Sequence, residues 1–360
     1  MWFIIIAIVL VLLTKQKRHA ADYTYISPPK IRVRSNTNSP IDVVYTWVDG
    51  SDPEWYAIKQ QYQPAEDKVA STSISSNADI RWQDFDTLKY SFISLAKYAP
   101  WIRNVYVITM NQKPAWIHDP AMQPYMDKVR FVSHDEIIPA KYLPTFSSTA
   151  IESFIHCIPS LSEHYIYFND DTLLGAPVYV SDFFEEKTLK PLVFLQKKCA
   201  SKKTYAHSNA VLDTIQNAEC RSPSLHSPKG RVRTLERLRL QEYPEEVEMV
   251  RMNKFRTQQD LHDNYIFSNW WLLYKGYAAE SELENVLCSV SDDTTSNKYI
   301  YERLLKQRPA TFTINDHVET RFVEVRRELI AALDKYYILN EMFSFINAKS
   351  HLVQRDSAAI

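Results

Sequence analysis

An apolar, aromatic run that ends in two adjacent carboxylates is the part of the sequence best suited to chemistry. Residues Tyr165 to Phe168 have the aromatic and β-branched character of a buried strand, and Asn169, Asp170 and Asp171 follow directly. Two neighbouring carboxylates repel each other unless a cation, a proton or an arginine lies between them. The pair is therefore either a turn that caps the next element or part of a charged site, and the surrounding elements must distinguish the two.

Four further apolar runs are predicted to form strands, at residues 41–48, 104–109, 129–133 and 311–314. Polar side chains follow them, among which are Asp49, Asn111 and Asp316. Amphipathic helices are predicted at residues 84–99 and 147–158. Because the carboxyl ends of parallel strands meet at one edge of a sheet, the polar side chains are expected to line one crevice. The sequence therefore predicts an α/β fold: a mostly parallel, Rossmann-like sheet with flanking helices and a helical insertion and C-terminal region.

The segment from Lys197 to Arg239 is strongly basic. It either binds an anion or includes a solvated helix face from Lys229 to Arg239, balanced by glutamates. A helical region is predicted at residues 258–275, and its aromatic side chains are expected in the core because they are spread around the helix. A long amphipathic helix or helix pair is predicted at 321–347. We therefore expect a short segment and linker at 1–40 and one main domain at 41–350, with the basic and helical part at 197–280.

The composition excludes several classes of protein. The 42 Lys and Arg nearly balance the 43 Asp and Glu, so nothing indicates a polyanionic partner and no nucleic acid is expected to bind. With 45% hydrophobic residues, the 360-residue chain can bury a substantial core. Its four glycines leave no room for a glycine-rich phosphate loop. Any bound phosphate must therefore meet side chains or helix ends.

The four cysteines, Cys157, Cys199, Cys220 and Cys288, are widely spaced and form neither a CxxC motif nor a zinc-like pattern. We expect four free, mostly buried thiols. The sequence also contains no Asn-x-Ser/Thr glycosylation site, which weakly favours a location outside a secretory lumen.

The amino-terminal segment from Trp2 to Leu13 is uniformly apolar and is followed by Lys15, Lys17 and Arg18. It is shorter than the roughly 20 apolar residues of a transmembrane helix, and it lacks the preceding positive charge of a signal peptide. Residues 2–18 are therefore expected to be either an anchor that contacts a membrane or the remainder of a truncated gene start. As an anchor, with its basic cluster, the segment favours the main domain on the cytoplasmic face. The alternative is a location in the secretory-pathway lumen with an amino-terminal anchor.

Four stretches together resemble the Stealth family of sugar-1-phosphate transferases. This family includes bacterial capsular polysaccharide phosphotransferases and the animal lysosomal-enzyme GlcNAc-1-phosphotransferase. The first stretch is residues 41–53, which contains the sequence Val-Asp-Gly-Ser-Asp-Pro. The second and most specific stretch runs from Asp86 to Asp171. The third runs from Ser208 to Arg256, and the fourth is residues 314–316.

The resemblance implies transfer of a hexose 1-phosphate from a nucleotide sugar, such as UDP-GlcNAc, to a hydroxyl group of a glycan in capsular or cell-surface polysaccharide. Such a reaction needs a base near the hydroxyl group and positive charge around the phosphorus. By the resemblance, Asp170, Asp171 and Asp316 bind Mg²⁺ or Mn²⁺. His226 takes the acceptor proton or pairs with phosphate as a cation, and Arg256 contacts phosphoryl oxygens. The implied catalytic residues are thus His226, Arg256, Asp171 and Asp316.

Asp49 and Asn111, at the tips of neighbouring strands, are expected to hold the nucleotide or its ribose. Two other functions remain open at this point. A GT-A-type glycosyltransferase has a similar GT-A-like sheet with an acidic motif at a strand end, but it attacks the anomeric carbon and releases a nucleoside diphosphate. A non-catalytic sugar-binding module would use the same sheet without turnover.

Overall fold

The structure is a computed structural model, and it describes residues 39–63, 82–200, 205–214, 218–257, 260–270 and 276–337. All of these residues belong to one compact unit, residues 34–360. None of the helices in these segments combines the length and the apolar character needed to cross a bilayer. The apolar segment at residues 2–13 lies outside the described residues, so the membrane contact stays a prediction.

The strands in these segments are β1 (Ile41–Thr46), β2 (Val105–Thr109), β3 (Val129–Ser133), β4 (His164–Asn169), β5 (Thr172–Leu174), β6 (Leu192–Val193), β7 (Lys229–Val232), β8 (Ala279–Glu280), β9 (Asn285–Ser291) and β10 (Thr311–His317). The helices are α1 (Pro53–Tyr62), α2 (Thr87–Tyr98), α3 (Gln123–Met126), α4 (His134–Ile137), α5 (Ser148–Glu152), α6 (Ala206–Asp213), α7 (Arg233–Glu242), α8 (Pro244–Met252), α9 (Asp263–Trp270), α10 (Thr294–Gln307) and α11 (322–337).

The main sheet has five strands in the order β3-β2-β1-β4-β7. β1 pairs in parallel with both β2 and β4, β2 pairs in parallel with β3, and only β7 runs antiparallel, against β4. The predicted α/β fold with a mostly parallel, Rossmann-like sheet is therefore confirmed. Strand order reverses at β1, which has β2 on one side and β4 on the other, and ligands bind at such a switch point in open α/β sheets.

The central strands are buried on both faces, as their apolar sequences predict. Tyr45 and Phe168 pack into the core on one face of the sheet. Val44, Tyr165 and Tyr167 pack into the core on the other face, because successive side chains of a strand point to opposite sides. The two faces of β4 thus lead to different surroundings at its carboxyl end.

A second sheet has three strands in the order β5-β10-β9, and its first strand in the chain, β5, begins directly after the two carboxylates. β10 pairs antiparallel with β5 and parallel with β9. The sequence predicted the last strand only as far as Ile314, but β10 continues to His317 because β9 pairs with it along its whole length. Asp316 therefore lies within a strand and not beyond one.

The helix predicted at residues 147–158 is wrong in its length. It ends after Glu152, and a separate 3₁₀ turn follows at Ile155–Cys157. The Ser153 hydroxyl donates to the Ala150 carbonyl at 2.7 Å, a local bond of the kind that competes with helix propagation. The side chain of Ser147 caps the helix by accepting from the Ala150 amide.

The alternative prediction, that Lys229 to Arg239 forms a solvated helix face, is wrong for Arg231 and Arg239. Arg231 and Arg239 are buried, and both pair with the buried Glu236, at 2.9 and 2.5 Å. Although burial opposes ionisation, the charges of Arg239 and Arg231 hold the pKa of Glu236 below its usual value. Residues 229–232 can form a buried strand because the charge of Arg231 is paired with Glu236 inside the protein.

In the next helical region Tyr265, the one aromatic side chain within the described residues, is in the core as predicted. Tyr265 and Ile266 of α9 are buried in a core that also contains Leu240 of α7 and Val247 of α8. The structure describes this helix as far as Trp270, and the remainder of the predicted range, residues 271–275, lies outside the described residues.

The prediction of four free cysteines is wrong for two of them. Cys199 and Cys220 form a disulfide, whereas Cys157 and Cys288 are free. The disulfide joins two segments that run side by side, since the Ala200 amide donates to the carbonyl of residue 221 at 2.8 Å. This pairing is a long-range feature that the spacing of cysteines does not reveal.

The buried ion cluster yields a stability prediction. Arg239→Ala removes a buried charge and its packing, leaving Glu236 with one arginine, and we expect the free energy of unfolding to fall by about 3 kcal/mol. Arg237→Ala, on the exposed side of the same helix, should change it by less than about 0.5 kcal/mol. Urea unfolding of both variants measures this difference, and equal values for the two would contradict the role assigned to the cluster.

Candidate functional site

The antiparallel pairing of β7 with β4 brings His226 to the two carboxylates. Lys229, the first residue of β7, lies opposite Tyr167, near the carboxyl end of β4. The loop that precedes β7 must therefore pass the end of β4, where Asp170 and Asp171 follow. The His226 Nε2 atom lies 3.3 Å from Asp171 Oδ1, and both side chains are partly exposed.

Two side chains of the second sheet fix the position of His226 by donating hydrogen bonds to its backbone carbonyl. Its carbonyl oxygen accepts from Asn285 Nδ2 at 2.9 Å and from Thr313 Oγ1 at 2.7 Å. Asn285 begins β9 and Thr313 lies in β10. The loop is thus held between the main sheet and the smaller sheet, and the imidazole has a defined place beside Asp171.

Several carboxylates converge at the end of β4. The Ile314 amide donates to the Asp171 carbonyl at 2.8 Å, which places Asp316, two residues further along β10, beside this turn. Asp170 is half-buried, and its pKa is raised well above the usual value, first by desolvation and then by the negative charges of Asp171, Asp84 and Asp316. The structure therefore brings together Asp170, Asp171, Asp316 and His226, although they come from distant parts of the chain.

The predicted metal ligands do not form a complete cage here. Among the residues that the structure describes, no three His, Cys, Asp or Glu side chains are arranged to hold a metal ion. Carboxylate oxygens are nevertheless the ligands that Mg²⁺ and Mn²⁺ prefer, and after desolvation the charges of Asp171, Asp84 and Asp316 add to the rise in the pKa of Asp170. The chemistry of the site fits a divalent cation, and the roles of Asp170, Asp171 and Asp316 as its ligands stay a prediction.

Arg256 lies at the same edge of the sheet, beyond β1 and β2. The preceding residue, Phe255, is buried and stacks on Phe146 with ring centres 4.9 Å apart. Val48 and Met110, which follow β1 and β2, pack against this aromatic cluster. The part of the backbone that carries Arg256 is thereby held near the residues that follow β1 and β2.

Asp49 and Asn111 occupy the tips of β1 and β2, as predicted, but in different ways. Asp49 forms a tight turn in which its Oδ1 accepts from the Ser51 amide at 2.8 Å and from the Ser51 hydroxyl at 2.6 Å. Asn111 is exposed, with a left-handed φ of 59°. Its neighbour Gln112 links the two tips, since its Nε2 donates to the Asp49 carbonyl at 2.8 Å. The nucleotide-binding roles of both residues stay predictions.

A cavity of about 400 Å³ opens beside Asp49 and was not predicted from the sequence. Its walls are mainly aromatic, formed by Trp47, Trp55, Tyr56, Trp82, Trp116 and Phe322. Three carboxylates, those of Asp49, Asp84 and Asp86, also line it, and Arg326 of α11 pairs with Asp86 at its wall. The segments that supply these residues are far apart in the sequence, which gave no signal that they would meet.

A close approach between two loops shapes one wall of this cavity. The Gly50 amide donates to the Trp82 carbonyl at 2.9 Å. A Cβ atom on Gly50 would lie 2.4 Å from both Trp82 Cβ and Trp82 O, so only glycine fits. Trp82 can therefore lie directly on the loop that carries Asp49.

A second polar cluster, also missed by sequence reasoning, lies on the other face of the sheet. The Tyr167 hydroxyl lies 2.9 Å from Thr46 Oγ1, and its pKa is raised well above the usual value by burial and then by the charge of Glu152. Asn264 Nδ2 donates to Glu152 Oε2 at 3.3 Å. A polar cluster thus lies at the end of β4 on this face of the sheet.

Comparison with protein families gives two matches. Residues 39–67 match "Stealth protein CR1, conserved region 1", and residues 81–192 match "Stealth protein CR2, conserved region 2". The matched residues include β1 and its tip, β2 and its tip, and the whole of β4 with the carboxylates that follow. His226, Arg256 and Asp316 lie outside these two matches.

Several curated proteins are similar to this chain. A capsular polysaccharide phosphotransferase of Actinobacillus suis is 30% identical over 327 residues, which cover 85% of each chain. Capsular polysaccharide phosphotransferase LcbA of Neisseria meningitidis is 33% identical over 82% of this chain and 83% of its own. Receptor polysaccharide phosphotransferase WefC of Streptococcus oralis is 46% identical over 149 residues, 41% of this chain and 42% of its own.

Similarity to solved structures is weaker. The glycosyltransferase GlyE of Streptococcus pneumoniae has 12% identity and a TM-score of 0.40, and the match covers 85% of this chain and 64% of that one. The galactosyltransferase LgtC has 11% identity and a TM-score of 0.37, covering 80% of this chain and 95% of that one.

The half-buried carboxyl group of Asp84 yields a pH prediction for the ligand-free protein. Burial raises its pKa from 3.8 to about 6, so the folded state binds this proton more tightly than the unfolded state. The resulting stability is fully present below pH 3.8 and is lost as the pH rises through 6. Asp84→Asn should therefore raise the free energy of unfolding relative to wild type by on the order of 1 kcal/mol more at pH 8 than at pH 4.

Urea unfolding at several pH values measures this effect. The exposed Asp127, changed to Asn, provides the control and should show a pH-independent difference. A difference for Asp84→Asn that does not grow between pH 4 and pH 8 would contradict the raised pKa assigned to this carboxyl group.

Proposed function

Because the chain belongs to the Stealth family of phosphotransferases, we propose that it transfers a hexose 1-phosphate from a nucleotide sugar to a hydroxyl group of a glycan. The products are a phosphodiester and a nucleoside monophosphate. The observation that carries this proposal is the 3.3 Å contact between His226 and Asp171 beside Asp170 and Asp316. A titratable base and several hard oxygen ligands then share one strand end, as transfer at phosphorus requires.

His226 acts as the base for the acceptor hydroxyl in this proposal. With Nε2 directed at Asp171, the Nδ1 atom is left to take the acceptor proton. The carboxylate of Asp171 then stabilises the imidazolium that forms, as an orienting carboxylate does for other catalytic histidines. The carbonyl hydrogen bonds from Asn285 and Thr313 keep the loop in place during this step.

Asp170, Asp171 and Asp316 are proposed to hold Mg²⁺ or Mn²⁺. A bound cation would offset the charge of the donor diphosphate and of the transferred phosphoryl group. Arg256, at the β1 and β2 side of the edge, is proposed to contact phosphoryl oxygens, since a guanidinium pairs with two oxygens at once. Positive charge would then surround the phosphorus from both sides.

The donor is proposed to be a nucleotide sugar such as UDP-GlcNAc, with Asp49 and Asn111 at its nucleotide end. The acceptor is proposed to be a capsular or other cell-surface glycan, in keeping with the names of the relatives. We also propose membrane association through residues 2–18. Of the two locations considered, the Cys199–Cys220 disulfide favours the lumen of an oxidising compartment over the cytoplasmic face, because disulfides persist in such compartments.

The first test concerns the leaving group. Incubation with nucleotide sugars and glycan acceptors should release UMP, GMP or CMP, according to the donor that is used. Release of the corresponding diphosphate would instead identify a glycosyltransferase, and the absence of turnover with any donor would favour a binding module.

Substitutions test the roles of the central pair. His226→Ala and Asp171→Asn should each lower kcat about 10²- to 10⁴-fold, because each removes part of the proton-transfer and charge-stabilising machinery. Asp135→Asn, an exposed carboxylate elsewhere, is the control and should leave kcat unchanged. Thermal unfolding must show that the variants remain folded. Unchanged kcat in folded His226→Ala would remove His226 from the mechanism.

Metal dependence tests the carboxylate roles separately. Chelation by EDTA should abolish nucleoside monophosphate release, and added Mg²⁺ or Mn²⁺ should restore it. Asp316→Asn should raise the Mg²⁺ concentration needed for half-maximal rate at least about 10-fold. A rate that is insensitive to both EDTA and Asp316→Asn would contradict these ligand roles.

A further inference from the structure

Two fully buried threonines of β10, Thr311 and Thr313, lie where the second sheet meets the loop of His226. A buried hydroxyl is unfavourable unless it has a hydrogen-bond partner, and a valine would avoid that cost. The partner of Thr313 lies outside its own sheet, since its Oγ1 donates to the His226 carbonyl at 2.7 Å. The hydroxyl of Thr313 therefore stabilises the loop that carries His226.

The side-chain amide of Asn285 has a fixed direction. Its Nδ2 donates to the His226 carbonyl at 2.9 Å, and its Oδ1 accepts from Thr311 Oγ1 at 2.9 Å. A carbonyl oxygen can only accept, so a reversed amide would set two acceptors against each other at His226. The hydroxyl of Thr311, by donating to Oδ1, favours the observed direction. Thr311 is thus linked to His226 through Asn285.

The contacts of β10 close into a ring around the catalytic pair. Thr313 donates to the carbonyl of His226, whose Nε2 atom lies 3.3 Å from Asp171 Oδ1. The carbonyl of Asp171 accepts in turn from the amide of Ile314, the residue next to Thr313, at 2.8 Å. Two adjacent residues of one strand thus hold both members of the pair. A misplacement of about 1 Å at such a site can lower the rate on the order of 10²-fold.

We propose that Thr313, Asn285 and Thr311 are positioning residues for His226, and that Thr311 acts through the amide of Asn285. This inference rests on the proposed function in taking His226 as the base for the acceptor hydroxyl. It assigns a role in turnover to three side chains of the second sheet that lie behind the loop of His226.

Steady-state kinetics of the full chain, with release of a nucleoside monophosphate as the readout, tests the two direct contacts. Thr313→Val and Asn285→Leu each remove one donor, and each should lower kcat about 3- to 30-fold while KM for donor and acceptor stays within about twofold. Thr313→Ser keeps the hydroxyl and should restore kcat to within about threefold of wild type. A serine variant as slow as the valine variant, or a raised KM with unchanged kcat, would overturn the proposal.

Thr214→Val is the matched control for the loss of a hydroxyl. Thr214 Oγ1 donates to the Val211 carbonyl at 2.7 Å, the same length as the Thr313 bond, but Thr214 directly follows α6. The control should keep the kcat and KM of wild type. Equal losses of kcat in Thr214→Val and Thr313→Val would show a general effect of removing a hydroxyl and would contradict the positioning role.

A double-mutant cycle tests the indirect role of Thr311. Thr311→Val alone should lower kcat about 2- to 5-fold, because the amide of Asn285 loses the hydroxyl that directs it. In the Asn285→Leu background the same change should have no further effect on kcat. If the two effects instead multiply in the double variant, Thr311 acts by another route and its assignment is wrong.

The position of His226 can also be followed without turnover, by nuclear magnetic resonance of the chain with ¹³C at Cε1 of its ten histidines. The resonance of His226 is the one that His226→Ala removes. In Thr313→Val it should shift or broaden, whereas the resonance of His134, buried directly after β3, should stay in place. An unmoved His226 resonance in folded Thr313→Val would overturn the positioning role.

The two proposals fail in different ways. A displaced His226 resonance in a protein that releases no nucleoside monophosphate would contradict phosphoryl transfer and support the positioning role. Release of a nucleoside monophosphate at the same kcat in wild type and in both folded donor variants would support phosphoryl transfer and overturn the positioning role. Unfolding midpoints, measured beside Thr214→Val, show whether a lower kcat reflects a loss of structure. If Thr313→Val does not fold, Asn285→Leu, at a half-buried position, provides the same test.

Discussion

The electrostatic cost of gathering carboxylates at one strand end is the constraint on which the site depends. Asp170 is half-buried at the end of β4, and desolvation, together with the charges of Asp171, Asp84 and Asp316, disfavours its ionised form. A cation, a proton or a group of opposite charge makes such a cluster favourable, and the imidazole of His226 lies 3.3 Å from Asp171. The site is therefore arranged to attract positive charge, from a cation, from an imidazolium or from both.

Two sheets position this cluster. β4 supplies the carboxylates at its end, and β5 begins one residue later in a different sheet. β10 returns beside β5 and carries Asp316, while β7 runs antiparallel to β4 and carries His226 in the loop before it. The turn between β4 and β5 is thus surrounded by both sheets. This arrangement explains how His226 and Asp316, which are distant in the sequence, reach the carboxylates at the end of β4.

The central strands could be predicted from the sequence because their signal is local. β1, β2, β3 and β4 are apolar runs, and their observed ends lie within two residues of the predicted ones. β9 was missed because it is not a continuous apolar run like the other strands. Polar residues interrupt it, and one of its apolar residues, Leu287, is exposed. β7 was missed because its Lys-Gly-Arg sequence is basic, and only the long-range pairing of Arg231 with Glu236 makes its burial favourable.

The same distinction applies to the site. The paired carboxylates and the resemblance predicted that Asp170, Asp171, Asp316 and His226 would share one crevice, and the structure places them together. The aromatic cavity could not be predicted, because Trp47, Trp82 and Trp116 come from separate loops whose contact depends on the tertiary fold. The disulfide and the Glu152 cluster likewise depend on contacts between distant segments.

The central claim is that the bond to phosphorus, and not the bond to the anomeric carbon, is broken. A donor with ¹⁸O in the oxygen that joins the hexose to its phosphate distinguishes the two, with products analysed by mass spectrometry. The account predicts that the label stays with the hexose phosphate in the glycan product and that the released nucleoside monophosphate is unlabelled. Label found in a released nucleoside diphosphate would contradict it, because the hexose would then have been transferred without its phosphate.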